Sequence, residues 1–212
     1  MAKLESNLKN MVLSLVFISM GMSAALGYVY LLTKEPIEKA NKEKEVSAVK
    51  MVLPAFDNDP VTEMKRIATI ENNGKDSLTF YPAFKNGQFV GCAVKSFTEK
   101  AFSGKFTLMV GFLPDGTINK SVVLDQKETP GLGTKMKEPK FYSQFENKKF
   151  EGELKVKKDG GDIDAISAAT ITSRAYCDGI NRAYKLFMKE FAGKANAAAD
   201  SATAVQTVAT NK

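Results

Sequence analysis

Residues 78–97 read LTFYPAFKNGQFVGCAVKSF, two runs rich in aromatic and β-branched residues on either side of Asn86-Gly87. Asn-Gly favours the tight turn of a β-hairpin, because both residues tolerate the left-handed backbone that this turn requires. Residues 105–124, KFTLMVGFLPDGTINKSVVL, repeat the pattern around a turn at residues 114–116, Pro-Asp-Gly. The sequence therefore predicts an antiparallel β-sheet in the middle of the chain.

An uncharged segment lies ahead of this sheet. Residues 11–32, MVLSLVFISMGMSAALGYVYLL, would span about 33 Å as a helix, enough to cross a bilayer. A cleaved signal peptide is the alternative, because residues 23–25, Ser-Ala-Ala, resemble a cleavage site. The apolar run continues past that site to Leu32, which favours an uncleaved transmembrane anchor.

The charges around this anchor indicate its orientation. Lys3 and Lys9 lie on the short N-terminal side, whereas the other side carries a balanced mixture of lysine and glutamate. Positive charge concentrates on cytoplasmic segments. We expect residues 1–10 in the cytoplasm and the remainder of the chain on the periplasmic or extracytoplasmic side of a bacterial inner (cytoplasmic) membrane.

Helical patterns flank the sheet. We predict a linker helix over residues 33–53, with Pro36 in its first turn and its end before Pro54. Apolar residues at helical spacing predict a second helix over 173–191, with Ser173 as its N-cap. Residues 192–212 are small and polar, and we predict a disordered tail there. The fold class is thus α+β: one transmembrane helix, then an extracytoplasmic domain over residues 54–191 with an antiparallel sheet and flanking helices.

The composition excludes several classes of function. The 212 residues include no histidine and no tryptophan, which rules out a Ser-His-Asp apparatus, and we predict no catalytic residue and no metal site. The formal net charge of +6 comes mostly from lysines scattered among glutamates, so we predict no nucleic-acid partner. Cys92 and Cys177 could form a disulfide outside the cytoplasm or remain two buried thiols, and the second interpretation is favoured.

Two segments carry candidate chemistry. Residues 128–133, Glu-Thr-Pro-Gly-Leu-Gly, can turn sharply and lie close to a flat ligand. Residues 164–173, DAISAATITS, place four hydroxyl side chains among small residues ahead of a helix. Free amides at a helix start favour a phosphate group. An ordinary capping cluster is the alternative, and the residue chemistry alone favours that alternative.

A resemblance to a known family favours the phosphate-binding interpretation over the capping cluster. Residues 164–170, Asp-Ala-Ile-Ser-Ala-Ala-Thr, resemble the flavinylation motif Asp-x-x-(Ser/Thr)-(Gly/Ala)-Ala-Thr, whose last threonine carries FMN through a phosphodiester bond. Together with residues 128–133 and the anchor helix, residues 8–191 resemble the G subunit of the Rnf electron-transport complex. They are also similar to its homologue, the C subunit of the sodium-translocating NADH:quinone reductase. Residues 125–127, Asp-Gln-Lys, stand where the family often has a histidine, so no role is carried over there.

The resemblance implies that Thr170 carries covalent FMN, with Thr172 as the fallback acceptor. The small residues Ala168 and Ala169 would let a separate flavin transferase reach the hydroxyl. Asp164 would orient or activate the acceptor, or serve only as a turn carboxylate.

Further contacts to the cofactor follow from the same resemblance. Ser167, Thr172 and Ser173 would bind phosphate oxygens. The backbone from Gly131 to Gly133, with Leu132 and Thr129, would line the isoalloxazine ring. Glu128 would hydrogen-bond the flavin or brace the loop.

The implied function is that of a membrane-anchored flavoprotein subunit that relays electrons between other membrane subunits of a complex. In this family, the complex couples electron flow between ferredoxin and NAD to ion movement. The ion pathway would lie in the partner subunits. Two alternatives stay open: the C subunit of the quinone reductase, and a membrane-anchored binding or assembly module with no redox role.

Overall fold

The computed structural model describes residues 7–69, 76–150 and 152–192. The chain divides into two compact units, Met1–Lys44 and Glu45–Lys212. The main helices and strands are α1 (Leu8–Val52), β1 (Lys65–Ala68), β2 (Ser77–Lys85), β3 (Gln88–Thr98), β4 (Phe106–Phe112), β5 (Ile118–Asp125), α2 (Pro139–Tyr142) and α3 (Thr170–Phe187). Short 3₁₀ turns at Gly133–Lys137, Ser143–Phe145 and Lys157–Asp159 and a π-helical turn at Met188–Ala192 complete the order.

The described part of the first unit is helical. Large apolar side chains from Leu8 to Leu32 are 46% to 75% exposed, so no protein core covers them. A helix with this length and composition can cross a membrane.

Pro36 lies inside α1, whereas the sequence predicted it in the first turn of a separate helix. Proline has no N–H to donate to the carbonyl four residues earlier, so the helix continues there with one hydrogen bond fewer. The lysines and glutamates that flank Pro36 are good helix formers. α1 therefore runs through both the predicted anchor and the predicted linker helix, and it ends at Val52, before Pro54 as expected.

The second unit contains a five-stranded antiparallel sheet in the order β1-β2-β3-β4-β5. Asn86 and Gly87 join β2 to β3 with φ angles of 51° and 78°, the left-handed backbone that a tight hairpin requires. The Pro114-Asp115-Gly116 turn joins β4 to β5, and the Asp115 carboxylate accepts hydrogen bonds from the N–H and hydroxyl of Thr117. Both predicted hairpins and the α+β fold class are confirmed.

Both faces of the central strands β3 and β4 are largely buried. On one face, alternate residues such as Val94, Leu108 and Val110 pack in a core with α3. On the other face, residues such as Ala93 and Met109 pack against the last residues of α1, Ala48, Val49 and Val52, and against Leu53. Strands covered on both faces become almost continuously apolar, which explains the sequence pattern of β3 and β4.

α3 begins three residues earlier than predicted, and Ser173 is not its N-cap. The residue before the helix is Ala169, which has no capping side chain. Ser173 lies inside the helix and is fully buried. Its hydroxyl donates to the Ala169 carbonyl at 3.0 Å and accepts from the Ile166 N–H at 2.9 Å, so it fastens the preceding loop to the helix. The predicted disordered tail lies, beyond Ala192, outside the described residues.

Candidate flavin site

The first turn of α3 presents Thr170 at its start. Because the helix begins there, the N–H groups of Thr170, Ile171 and Thr172 precede the first backbone hydrogen bond of the helix, from Ser173 N–H to Ala169 O at 3.1 Å. Thr170 is half-buried. Ala168, two residues earlier, is exposed and adopts a left-handed φ of 61°, which turns the chain into the helix.

The next hydroxyl on the helix has a different environment. Thr172 is 1% exposed, and its Oγ1 donates to Glu128 Oε2 at 2.6 Å. Glu128 is itself buried, and its Oε1 accepts from the Ser103 N–H at 2.8 Å. Of the two roles predicted for Glu128, bracing of the loop is the one that these contacts provide.

The loop over residues 128–133 packs closely on the start of α3. A Cβ at Gly133 would lie 2.3 Å from Glu128 Oε2 and 2.9 Å from Thr172 Oγ1, so only glycine fits between them. Gly131 has a φ of 75° and open space around it, and its N–H donates to Thr134 Oγ1 at 2.9 Å. One glycine thus permits close packing and the other permits the turn.

The two predicted segments meet in one depression of about 320 Å³. Its lining combines the 128–133 loop, the start of α3 and one residue from the β3–β4 connection: Phe102, Glu128, Thr129, Leu132, Gly133, Ala168, Ala169, Thr170, Ile171 and Thr172. Gly131 and Ser173 were predicted in the site but are not among these lining residues. The structure therefore brings most of the predicted ring-binding and acceptor residues together.

Three large apolar side chains around the depression are exposed: Phe102 at 69%, Ile171 at 47% and Leu132 at 41%. Exposed apolar side chains that cluster at one place indicate a binding surface. Leu132 was predicted, whereas Phe102 was missed because it lies in a short turn beside Ser103 and Gly104, where no periodic pattern marks it. Its role depends on the β3–β4 connection reaching the 128–133 loop, which the local sequence does not reveal.

Asp164 and Ser167 lie in a different depression. It is lined by both of them together with residues that include Phe141 and Gln144. The Asp164 carboxylate binds the ammonium group of Lys157 at 2.8 Å, and the backbone of Asp164 exchanges hydrogen bonds with the Gln144 side chain. The structure thus separates the first half of the motif from Thr170.

A basic residue borders Thr170. The Nζ of Lys158 donates to Thr170 Oγ1 at 3.5 Å. Nearby, Arg174 binds Asp159 through two hydrogen bonds of 2.7 Å, and the Arg174 guanidinium lowers the pKa of the Asp159 carboxyl. Sequence reasoning did not single out Lys158, since nothing in its spacing distinguishes it from its lysine neighbours.

The two cysteines are free and buried. Cys92 lies on β3 and Cys177 on α3. Burial raises the pKa of both thiols, that of Cys177 to about 12. The favoured interpretation of two buried thiols is therefore confirmed. Over the described residues, no group of three or more potential metal ligands is found.

The residues that line the depression fall within a range that matches a known protein family. Residues 102–185 match the FMN-binding domain family, a range that begins at the exposed Phe102 and contains both loop segments. The G subunit of the ion-translocating oxidoreductase complex of Methanosarcina acetivorans is 30% identical over 182 residues, which cover 84% of this chain and 94% of that protein. The chain belongs to this family of G subunits.

Other G subunits are similar to the same extent. The G subunit of the Na⁺-translocating ferredoxin:NAD⁺ oxidoreductase complex of Acetobacterium woodii is 30% identical over 82% of this chain and 89% of its own length. The G subunit of the ion-translocating oxidoreductase complex of Escherichia coli is 31% identical over 78% of this chain and 82% of its own length. These relatives favour the assignment as a G subunit over the quinone-reductase alternative.

Among solved structures, the crystal structure of Shewanella oneidensis NqrC matches with a TM-score of 0.42 and 21% identity, over 71% of this chain and 73% of that chain. This likeness is too low to support conclusions about the site. Membership of the family therefore rests on the sequence relatives.

Proposed function

We propose that this chain is a membrane-anchored flavoprotein subunit of an ion-translocating, ferredoxin:NAD-type electron-transport complex, and that its FMN is bound covalently to Thr170. The observation that carries the proposal is the single depression formed by the start of α3 and the 128–133 loop, within the range that matches the FMN-binding domain family. The related G subunits support the role in a multi-subunit complex.

The residues of the depression suit the two ends of FMN. Unbonded N–H groups at the start of α3 favour a phosphate group, and the helix dipole adds to this attraction. The exposed side chains of Phe102, Leu132 and Ile171 offer apolar contacts to a flat ring system. FMN, when bound, supplies the redox chemistry, and the protein supplies its tether, orientation and surroundings.

Attachment requires a hydroxyl that an enzyme can reach. In a phosphodiester, the Thr170 Oγ1 bonds to the phosphorus of FMN. A flavin transferase would deliver this phosphorus from a flavin dinucleotide, whose phosphoric anhydride bond breaks as the new bond forms. The nucleoside monophosphate leaves with the bonding electron pair, and the threonine proton passes to a base. The half-buried Thr170 suits this reaction, whereas Thr172 is hydrogen-bonded inside the domain.

The other residues predicted to contact the cofactor have different parts in this proposal. Ser173 stabilises the loop before α3, and Glu128 stabilises the 128–133 loop through Thr172. Asp164 and Ser167 remain candidates for contacts with the transferase, since both are exposed beside the acceptor segment.

The anchor supports a proposal for the side of the membrane on which the flavin lies. α1 would cross the bacterial inner membrane with its N-terminus in the cytoplasm, so the flavin domain would face the extracytoplasmic side. Protease added outside intact spheroplasts should digest the flavin domain. Protection of the domain until the membrane is opened would overturn this orientation.

In-gel fluorescence tests the covalent attachment. The full chain is expressed with a flavin transferase, denatured, separated by electrophoresis and illuminated with ultraviolet light. We expect a fluorescent band that Thr170→Val abolishes and Thr172→Val retains, since both variants remove a hydroxyl without changing side-chain shape. A wild-type chain without fluorescence would overturn the proposal and favour a non-redox module. An undiminished band in Thr170→Val would overturn the attachment at Thr170 and place the flavin on another residue.

A further inference from the structure

The segment that carries Lys158 is a tight turn fixed by its backbone. Val156 and Ile163, at its two ends, are fully buried and pair as a parallel bridge. The Lys157 N–H donates to Ile163 O at 2.8 Å, and the Asp159 N–H donates to Val156 O at 2.8 Å. The position of the Lys158 backbone is therefore set by the core and not by its own exposed side chain.

An ion pair joins this turn to α3. Arg174 Nε and Nη2 donate to the two carboxylate oxygens of Asp159, each at 2.7 Å. This paired geometry is the most directional contact that arginine makes with a carboxylate. Arg174 follows Thr170 by four residues, so the two side chains lie on the same face of the helix. The turn is thus held beside the helix face that presents Thr170.

Lys158 differs from Lys157 and Arg174, the neighbouring basic residues that form ion pairs. Lys157 binds Asp164, and Arg174 binds Asp159. The Lys158 ammonium group lies 3.5 Å from Thr170 Oγ1, and it forms no ion pair with any residue that the structure describes. The ammonium group therefore has no carboxylate partner at ion-pair distance among the described residues, and it borders the atom to which the phosphorus would bond.

We propose that Lys158 is the counter-ion of the phosphodiester on Thr170, and that it positions the incoming phosphate during attachment. This inference rests on the proposed function. A phosphodiester carries one negative charge, and hydrogen bonds between ions are stronger than those between neutral groups. The Lys158 ammonium and the first amides of α3 would contact the phosphate oxygens from two directions, while the apolar side chains hold the ring.

The test compares the full chain, purified in detergent after expression with a flavin transferase, with three variants. Lys158→Gln removes the charge, Lys158→Arg keeps a charge, and Lys155→Gln removes a charge from an exposed lysine of the same segment. The first measurement is the ³¹P NMR shift of the phosphodiester. The second is the initial rate of flavin attachment to flavin-free protein.

We expect Lys158→Gln to change the ³¹P shift and to slow attachment about fivefold, the size expected for an exposed ion pair. Lys158→Arg should restore most of the rate, and Lys155→Gln should match the wild type in both measurements. Wild-type shift and rate in Lys158→Gln would overturn the role of Lys158 while the flavin on Thr170 stands. An equal effect of Lys155→Gln would also overturn it, because the loss of any positive charge in this segment would then have the same result. A wild-type chain without a phosphodiester signal would overturn the proposed function and this inference together.

Discussion

The two sides of the first turn of α3 carry similar side chains in opposite environments. On the inner side, Thr172 and Ser173 are buried, and their hydroxyls are hydrogen-bonded to Glu128 and to the Ala169 carbonyl. On the outer side, Thr170 is half-buried and Ile171 is exposed. The inner hydroxyls are explained by packing alone, whereas the outer side lines the depression in which we propose that the flavin binds. Thr170 and Thr172 are the same residue type. They differ in the side of α3 on which they lie, because one side faces the core and the other does not.

The largest expected difference between the two sides is the rate at which a reagent reaches a cysteine placed on each of them. In flavin-free protein, Thr170→Cys should react with a maleimide on the order of 100-fold faster than Thr172→Cys, because a buried thiol reacts only after local opening. The measurement is the rate of labelling by mass spectrometry. The wild type is the control, since its two thiols are buried and burial raises their pKa values. Equal rates would remove the distinction between the two sides.

The inner side should be sensitive to added volume. Gly133→Ala should lower the free energy of unfolding by about 3 kcal/mol, because its Cβ would lie 2.7 Å from the Cβ of Glu128. Gly131→Ala is the matched control in the same loop. It meets open space and should lose only about 1 kcal/mol, from its left-handed φ. Urea unfolding of the full chain in detergent measures both, and equal losses would contradict the close packing of Gly133.

On the outer side, replacement of Ala168 by a smaller residue should increase the stability of the protein. Ala168 adopts a φ of 61°, a conformation that costs an L-residue about 1 kcal/mol. Glycine also makes the unfolded chain more flexible, at a cost of about 0.5 kcal/mol. Ala168→Gly should therefore raise the free energy of unfolding by about 0.5 kcal/mol, and the same urea series measures it. Ala165→Gly should lower this free energy by about 0.5 kcal/mol, since Ala165 has no left-handed φ. A loss of stability in Ala168→Gly would contradict the described backbone.

The elements that the sequence predicted are those set by local chemistry. Asn86-Gly87 specifies a hairpin because two adjacent residues must be left-handed, and the apolar run from Met11 to Leu32 specifies a long helix by its composition. The cap at Ser173 was wrong because residues 167–173 contain several hydroxyls that could cap a helix. None of them does so, since the residue before the helix is Ala169. The start of the helix depends on where the buried Ile166 and Ala169 pack, and that is tertiary information.

The residues of the site were likewise predicted where the local sequence marks them and missed where it does not. The resemblance of residues 164–170 to a flavinylation motif pointed to Thr170, and the 128–133 loop was predicted with it. Phe102 and Lys158 were missed because each belongs to a connection whose neighbours in space are distant in sequence. Asp164 and Thr170 are close in sequence, yet the turn at Ala168 directs them to different depressions.

The covalent bond at Thr170 is the central claim, and peptide mass spectrometry tests it most directly. Trypsin cleaves after Lys158 and Arg174, so one peptide, residues 159–174, contains Thr170, Thr172 and both candidate serines. From cells with an active flavin transferase, we predict that this peptide is heavier by one FMN less one water, and that fragment ions locate the added mass on Thr170. An unmodified peptide, or added mass on another residue, would contradict the account.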